Sequence, residues 1–116
     1  MAQTSCIFCK IIAKEIPSTI IKENQTAIAI RDISPKAPTH YLIMPKMHIE
    51  SVLHMTDDHE IIVGQVLALA RDIAVESGIT GFNLIANNGA SAGQSVLHMH
   101  FHFLAGTNIY EHGLRL

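Results

Sequence analysis

The chain has 116 residues, 48% of them apolar, and a formal net charge of −2. That is one domain's worth of chain, residues 1–116, with enough apolar content for a core. It excludes a strongly basic nucleic-acid-binding module, a disordered segment and a bilayer-spanning helix, so neither nucleic acid nor a membrane is an expected partner.

The opening MAQTSCIFCK has neither a basic n-region nor a long apolar h-region, and its two cysteines do not form a secreted disulfide framework. A cytoplasmic location is the expectation. Residues 6–14, CIFCKIIAK, place Ile7, Ile11 and Ile12 at helical spacing, and Pro17 ends that short helix. Thr19–Glu23 and Thr26–Arg31 are rich in β-branched residues and separated by Asn24-Gln25, which reads as a hairpin. Pro35 and Pro38 break the chain into a loop, and His40–Pro45 is the third strand.

A long helix follows, with Thr56 or Asp57 at its N-cap, Asp57, Asp58 and Glu60 complementing its dipole, and a neutral or capping role sufficient for His59. Ile62, Val66, Leu69 and Ile73 form its apolar stripe, and Gly78 lies just past its last turn. Phe82–Asn87 reads as the fourth strand, NNGASAGQS as a turn-rich loop and Val96–Leu104 as the fifth strand. This order predicts an α+β fold, an antiparallel sheet covered by helix.

Eight histidines are the compositional oddity. His98, His100 and His102 alternate with Leu97, Met99, Phe101 and Phe103, so on a strand the imidazoles share one face and the apolar set faces the core. One metal ion cannot join all three, because the outer pair is roughly 13 Å apart on a regular strand and zinc–nitrogen bonds are about 2 Å. Covalent catalysis accounts for all three. A neutral imidazole is nucleophilic near neutral pH, attack on phosphorus gives a labile phosphohistidine, and His100 has a neighbouring histidine on each side to hold phosphate oxygens.

The preceding loop contains Gly89-Ala-Ser-Ala-Gly93, which matches the nucleophile elbow G-x-S-x-G. That elbow needs a strand before it, a helix after it and a large parallel sheet, so the match is rejected. The loop reads instead as an anion cradle, with Gly89 and Gly93 allowing close backbone approach and Gln94 and Ser95 adding donors. Cys6-Ile-Phe-Cys9 has the spacing of a zinc half-site that requires a second ligand pair. No strand precedes it, as a thioredoxin-like redox pair would need.

His98-Met-His-Phe-His-Phe-Leu104 resembles the H-φ-H-φ-H-φ-φ signature of the histidine triad (HIT) family, where φ is apolar. RDISPKAPTHYLIMPKMHI, CIFCKII and NNGASAGQSV resemble that family too, in order and spacing, so the resemblance spans nearly the whole chain. It implies five antiparallel strands with one long and one short helix, and homodimers that join two such sheets into ten strands. It also implies chemistry at the α-phosphate of nucleotides. The Gly-Gln-Ser-Val run and Leu-Ala-Gly after the triad are most similar to the Hint branch, purine nucleoside phosphoramidases that cleave a P–N bond to AMP.

By that resemblance His100 is the nucleophile, His102 binds the α-phosphate, His98 orients or assists and His40 completes the network. Ser95 helps protonate the leaving amine. Asp32 holds the ribose hydroxyls, Ile33 lines the purine pocket, and Asn87, Gly93 and Gln94 line the phosphate side. Catalysis needs no cofactor, but some members bind structural zinc at positions matching Cys6, Cys9, His48 and His98, while others lack the metal. A zinc-bound His98 does not donate a proton. The fragile-histidine-triad branch, which hydrolyses dinucleoside polyphosphates, usually continues from the triad with Pro-Arg, where this chain has Ala105-Gly106. A purine-nucleotide binding or scaffold protein is the alternative outside enzymology. Residues 107–116, TNIYEHGLRL, depart from the aromatic-containing tail of the best recognised members, with Tyr110 or His112 as the candidate substitutes.

Overall fold

Asn24 makes the first hairpin. Its side-chain Oδ1 accepts from the N–H of Thr26 at 3.0 Å and of Ala27 at 2.8 Å, closing the turn between β1 (Ile20–Glu23) and β2 (Ala27–Arg31). The structure, a computed structural model, describes residue 3 and residues 5–113. Before the hairpin lies α1 (Ile7–Ile12), and after it come β3 (Thr39–Pro45), α2 (Glu60–Glu76), β4 (Asn83–Ile85) and β5 (Phe101–Ala105). All pairings are antiparallel and the strand order is β1-β2-β3-β5-β4. The expected α+β architecture, five strands with one long and one short helix, is the one observed.

The period-2 alternation divides the sheet into two apolar faces. Ala27, Ala29, Ile43, Phe103 and Ala105 face α2, meeting Val66, Leu69, Ala70, Ile73 and Ala74. The ring of Phe103 is stacked between Phe82 at 4.5 Å and Tyr41 at 5.8 Å. On the other face Ile28, Ile30, Leu42 and Met44 pack against Cys6, Phe8, Cys9 and Ile11 of the α1 segment. The predicted stripe of α1 is corrected here. Phe8, Cys9 and Ile11 are its buried residues, whereas Ile7 is largely exposed.

A single 3₁₀ turn, Asp57–His59, leads into α2. Thr56 and His59 form a reciprocal capping box there, so His59 has the capping role expected. Gly78 follows the last turn at φ +67°.

The fifth strand is shorter than predicted, and this matters most for the site. β3 pairs with β5 only as far as Ile43 opposite Phe101, and β4 only as far as Ile85 opposite His102. Further along, β3 ends at Pro45, which has no N–H to offer a ladder. Residues 96–98 bend, and the N–H of Met99 donates to the carbonyl of Ile49 at 2.6 Å instead. Consequently Leu97, expected in the core, is 49% exposed. The predicted fourth strand over Phe82–Asn87 likewise narrows to Asn83–Ile85.

Candidate active site

His102 is on β5, opposite Leu42, on the face covered by α1. His98 and His100 stand on the bent approach to that strand, so the three imidazoles diverge into different surroundings. His98 enters one polar cluster, His102 another, and His100 lies between them.

His40 is the second residue of β3, two residues from Leu42 and on the same face as His102. The backbone N–H of Lys36 donates to its Nδ1 at 2.9 Å, which places the ring proton on Nε2. That N–H meets Nδ1 of His102 at 2.9 Å and Oδ2 of Asp32 at 3.4 Å. Nδ1 of His102 is therefore an acceptor, and its Nε2–H is left as a donor. Burial first, then the neighbouring His100 and His40, pulls His102 down to about 4, and burial also lowers His40. The ligand atoms of Asp32, His40 and His102 lie within 4.8 Å of one another. They form a hydrogen-bond relay rather than a ligand set, because the nitrogen of His40 that faces inward carries the proton.

His100 has the opposite tautomer. Its Nδ1–H donates to the carbonyl of His98 at 2.7 Å, so Nε2 carries the lone pair. The residue is 6% exposed, but among the described residues the only fully enclosed side-chain N or O without a hydrogen-bond partner is Thr26 Oγ1. The unpartnered Nε2 of His100 and of His102 therefore reach the surface.

His98 is fully buried. Its Nε2–H donates to the carbonyl of Pro45 at 2.8 Å, turning Nδ1 toward the thiols of Cys6 at 3.5 Å and Cys9 at 3.6 Å. His48 Nδ1 is 3.3 Å from Cys9 Sγ. Zinc bonds of about 2.0–2.3 Å imply ligand–ligand edges of roughly 3.3–3.8 Å in a tetrahedron, and these three separations fall in that range. The Pro45 carbonyl also supplies the outer hydrogen bond that fixes a ligating tautomer. Burial pushes the Cys9 thiol up and pulls His98 down to about 4, so a cation would offset the cost of a buried thiolate here. The donor set fits zinc.

Of the remaining predicted residues, Asp32 and Ile33 line one cavity and Ser95 another, and neither cavity has His100 or His102 in its wall. Asp32 serves two purposes: Oδ1 accepts from the N–H of Ser34 at 2.7 Å, holding the turn, and Oδ2 faces His40. Asp32 and Ile33, which is 96% exposed, line a cavity of about 430 Å³ with Pro17, Ser18, Thr19 and Arg31. Ser95 is exposed and lines a second cavity of about 370 Å³, with Cys6, His48 and Glu50 among its walls. Asn87 is half-buried at the start of the glycine-rich loop. Gly89 and Gly93 have φ of +92° and +95° with open space where a Cβ would stand, so the loop needs them for conformation rather than for close approach.

Gln94 also differs from its expected place as a phosphate donor. Its Nε2 donates to the carbonyls of Glu50 and Val96, its Oε1 accepts from the N–H of Gly89, and its own N–H donates to the carbonyl of Gly89. All its donors are committed within the loop, which it closes. Phe8, to which the sequence pattern assigns no role, touches both His98 and His100. Its place between the two cysteines is the only signal for it.

Residues 5–111 match the family model described as "Scavenger mRNA decapping enzyme C-term binding". The purine nucleoside phosphoramidase of Escherichia coli K12 is 44% identical over 102 residues, 86% of each chain. Protein HitA of Neisseria gonorrhoeae is 41% identical over 101 residues, 86% of this chain and 94% of that one. Among solved structures, a HIT family hydrolase from Clostridium thermocellum superposes with a TM-score of 0.90 at 41% identity, covering 99% of both chains. A histidine triad protein from Clostridium difficile gives 0.88 at 42% identity, covering 93% of this chain and 96% of that one.

Proposed function

The chain belongs to the histidine triad family, and on that premise we propose that it hydrolyses purine nucleoside phosphoramidates at the α-phosphorus, with His100 as the nucleophile. The observation that carries this reading is the pair of opposite tautomers. His100 presents a lone pair on Nε2 because its other nitrogen is tied to the carbonyl of His98, and His102 presents an N–H because its other nitrogen accepts from His40.

In the first step His100 Nε2 bonds to phosphorus as the P–N bond to the leaving amine breaks. The Ser95 hydroxyl gives its proton to that nitrogen. The Nε2–H of His102 holds a phosphate oxygen as negative charge builds on it. In the second step water attacks the nucleotidyl-imidazole, the His100–phosphorus bond breaks, AMP departs and Ser95 recovers a proton from the water. Asp32, in the wall of the larger cavity, supplies carboxylate acceptors for a ribose diol and Ile33 an apolar surface for a purine, and the same reading assigns Asn87 and the backbone around Gly93 to the phosphate side.

Cys6, Cys9, His48 and His98 would hold zinc, whose contribution when bound is to cross-link α1 to the histidine segment. His98 then acts by orienting His100 through its carbonyl. Pairing of two sheets into a ten-stranded homodimer belongs to the same reading, supported by the two edge strands β1 and β4. So does a cytoplasmic location; among the described residues no helix is long and apolar enough to cross a membrane.

The test is AMP release from adenosine 5′-phosphoramidate by wild type and His100→Ala. Release by wild type alone is expected, and equal release by both defeats the reading. Turnover of a dinucleoside polyphosphate in preference to the phosphoramidate would move the assignment to the other enzymatic branch. AMP binding without turnover of either substrate would leave a nucleotide-binding protein.

A further inference from the structure

Phe8 stands on α1 between Cys6 and Cys9 and is 6% exposed. Its ring meets His100 edge-on, with centroids 5.1 Å apart and planes at 79°, and meets His98 at 5.9 Å and 82°. His100 also meets the ring of His102 at 5.3 Å and 62°. The imidazole of His100 thus packs against two rings and is tethered by one hydrogen bond to its own chain.

The tether alone is a weak constraint. A half-turn of the imidazole about its bond to Cβ breaks a single hydrogen bond and puts Cε1 where Nε2 stood, and neighbouring rings oppose that rotation by filling the space it needs. Phe8 is the one of the two rings that lies outside the triad.

The position of Phe8 depends in turn on α1. Six residues are too few for a helix to hold itself together, so α1 keeps its place through what its side chains grip. Cys6 sits at its N-cap and Cys9 one turn on, and both thiols face His98. The two grips bracket Phe8.

We propose that Phe8 is a positioning residue for His100, wedging the imidazole in the orientation that presents Nε2, and that metal binding by Cys6, Cys9, His48 and His98 sets the tightness of that wedge. The proposal rests on the reading of His100 as nucleophile. It makes the cysteine-bearing helix part of the catalytic alignment rather than a remote structural clip, since the same turn of helix carries both the ligands and the wedge.

The experiment compares zinc-loaded wild type with zinc-loaded Phe8→Leu, which keeps an apolar side chain of similar reach. Nitrogen-15 NMR of the histidine rings reads the His100 tautomer, and steady-state kinetics on adenosine 5′-phosphoramidate read kcat and KM separately. Wild type should show a single Nδ1–H tautomer at His100. Phe8→Leu should show a mixture, with kcat reduced about tenfold and KM within about twofold, the pattern of misalignment rather than lost binding.

Removing zinc from wild type with a chelator, at a temperature where circular dichroism shows the fold intact, should move the His100 signals in the same direction. A Phe8→Leu protein that keeps the wild-type tautomer and kcat overturns the wedge, and unmoved His100 signals after chelation overturn its link to the metal. If Phe8→Leu does not fold, Phe8→Met replaces it and the chelation arm stands unchanged. The NMR arm decides the proposal even if wild type turns over no phosphoramidate, a result that defeats the assigned activity alone.

Discussion

His40 Nε2 and His102 Nδ1 are 2.9 Å apart although 62 positions separate the two residues in the chain. The register makes the contact: His40 is opposite Leu104 and Leu42 opposite His102, so the two histidines are diagonal neighbours on one face of β3 and β5. Replacing His40 by Ala removes the donor that fixes the tautomer of His102. We expect kcat to fall by about 10²-fold, the scale of a lost general acid–base partner, with a smaller change in KM. Steady-state kinetics on adenosine 5′-phosphoramidate check this, and an unchanged kcat removes the relay from the mechanism.

Acid should weaken the fold well above the range where carboxylates titrate. His102 is held at about 4, chiefly by burial, and His40 is lowered for the same first reason. An unfolded histidine binds a proton near pH 6.5. Above that value both states are neutral and stability is full. Between 6.5 and about 4 the unfolded chain takes up a proton that folded His102 refuses, at about 1.4 kcal/mol per pH unit, and His40 acts in the same direction. The thermal midpoint should therefore drop from pH 7 to pH 5, with a shallower slope in His102→Asn. A midpoint that rises or holds steady over that interval contradicts the assignment.

Cys6→Ser tests the metal centre. The wild-type chain should bind one zinc ion, measured by atomic emission after dialysis, and the variant less than one. Its thermal midpoint should fall by several degrees, because a metal bound only by the folded state stabilises it by mass action. Equal zinc content and equal midpoints would take zinc out of the account.

Gln94→Ala should cost about 2–3 kcal/mol in denaturant unfolding, since it strips partners from the N–H of Gly89 and the carbonyls of Glu50 and Val96 in a site where Gln94 is buried. A loss below about 0.5 kcal/mol would show the loop closed by other means.

Much of this site was legible because short sequence patterns have local consequences. The period-2 alternation around His102 gave its face, and Asn24 gave the first turn. Thr56 or Asp57 as N-cap marked the start of the long helix. Cys6 and Cys9, three apart, gave a half-site. The end of the fifth strand was not legible, because it depends on where β3 and β4 run out of partners. Gln94 misled for a similar reason: an amide beside a histidine segment reads as a ligand donor until the carbonyl of Glu50, 44 positions away, claims it.

By itself the sequence determined the α+β class, the element order, the three-histidine constellation and the family to which it points, since these follow from patterning and spacing within short stretches of chain. Only the tertiary structure decided that His98 belongs with the cysteines, that His102 belongs with His40 and Asp32, and that His100 between them keeps a free lone pair. An imidazole's tautomer is set by whichever donor or acceptor reaches each of its nitrogens. For His98 and His102 those partners, Pro45 and His40, come from β3, 53 and 62 positions away in the chain and brought near only by the fold, whereas the carbonyl that sets His100 belongs to His98, two positions away.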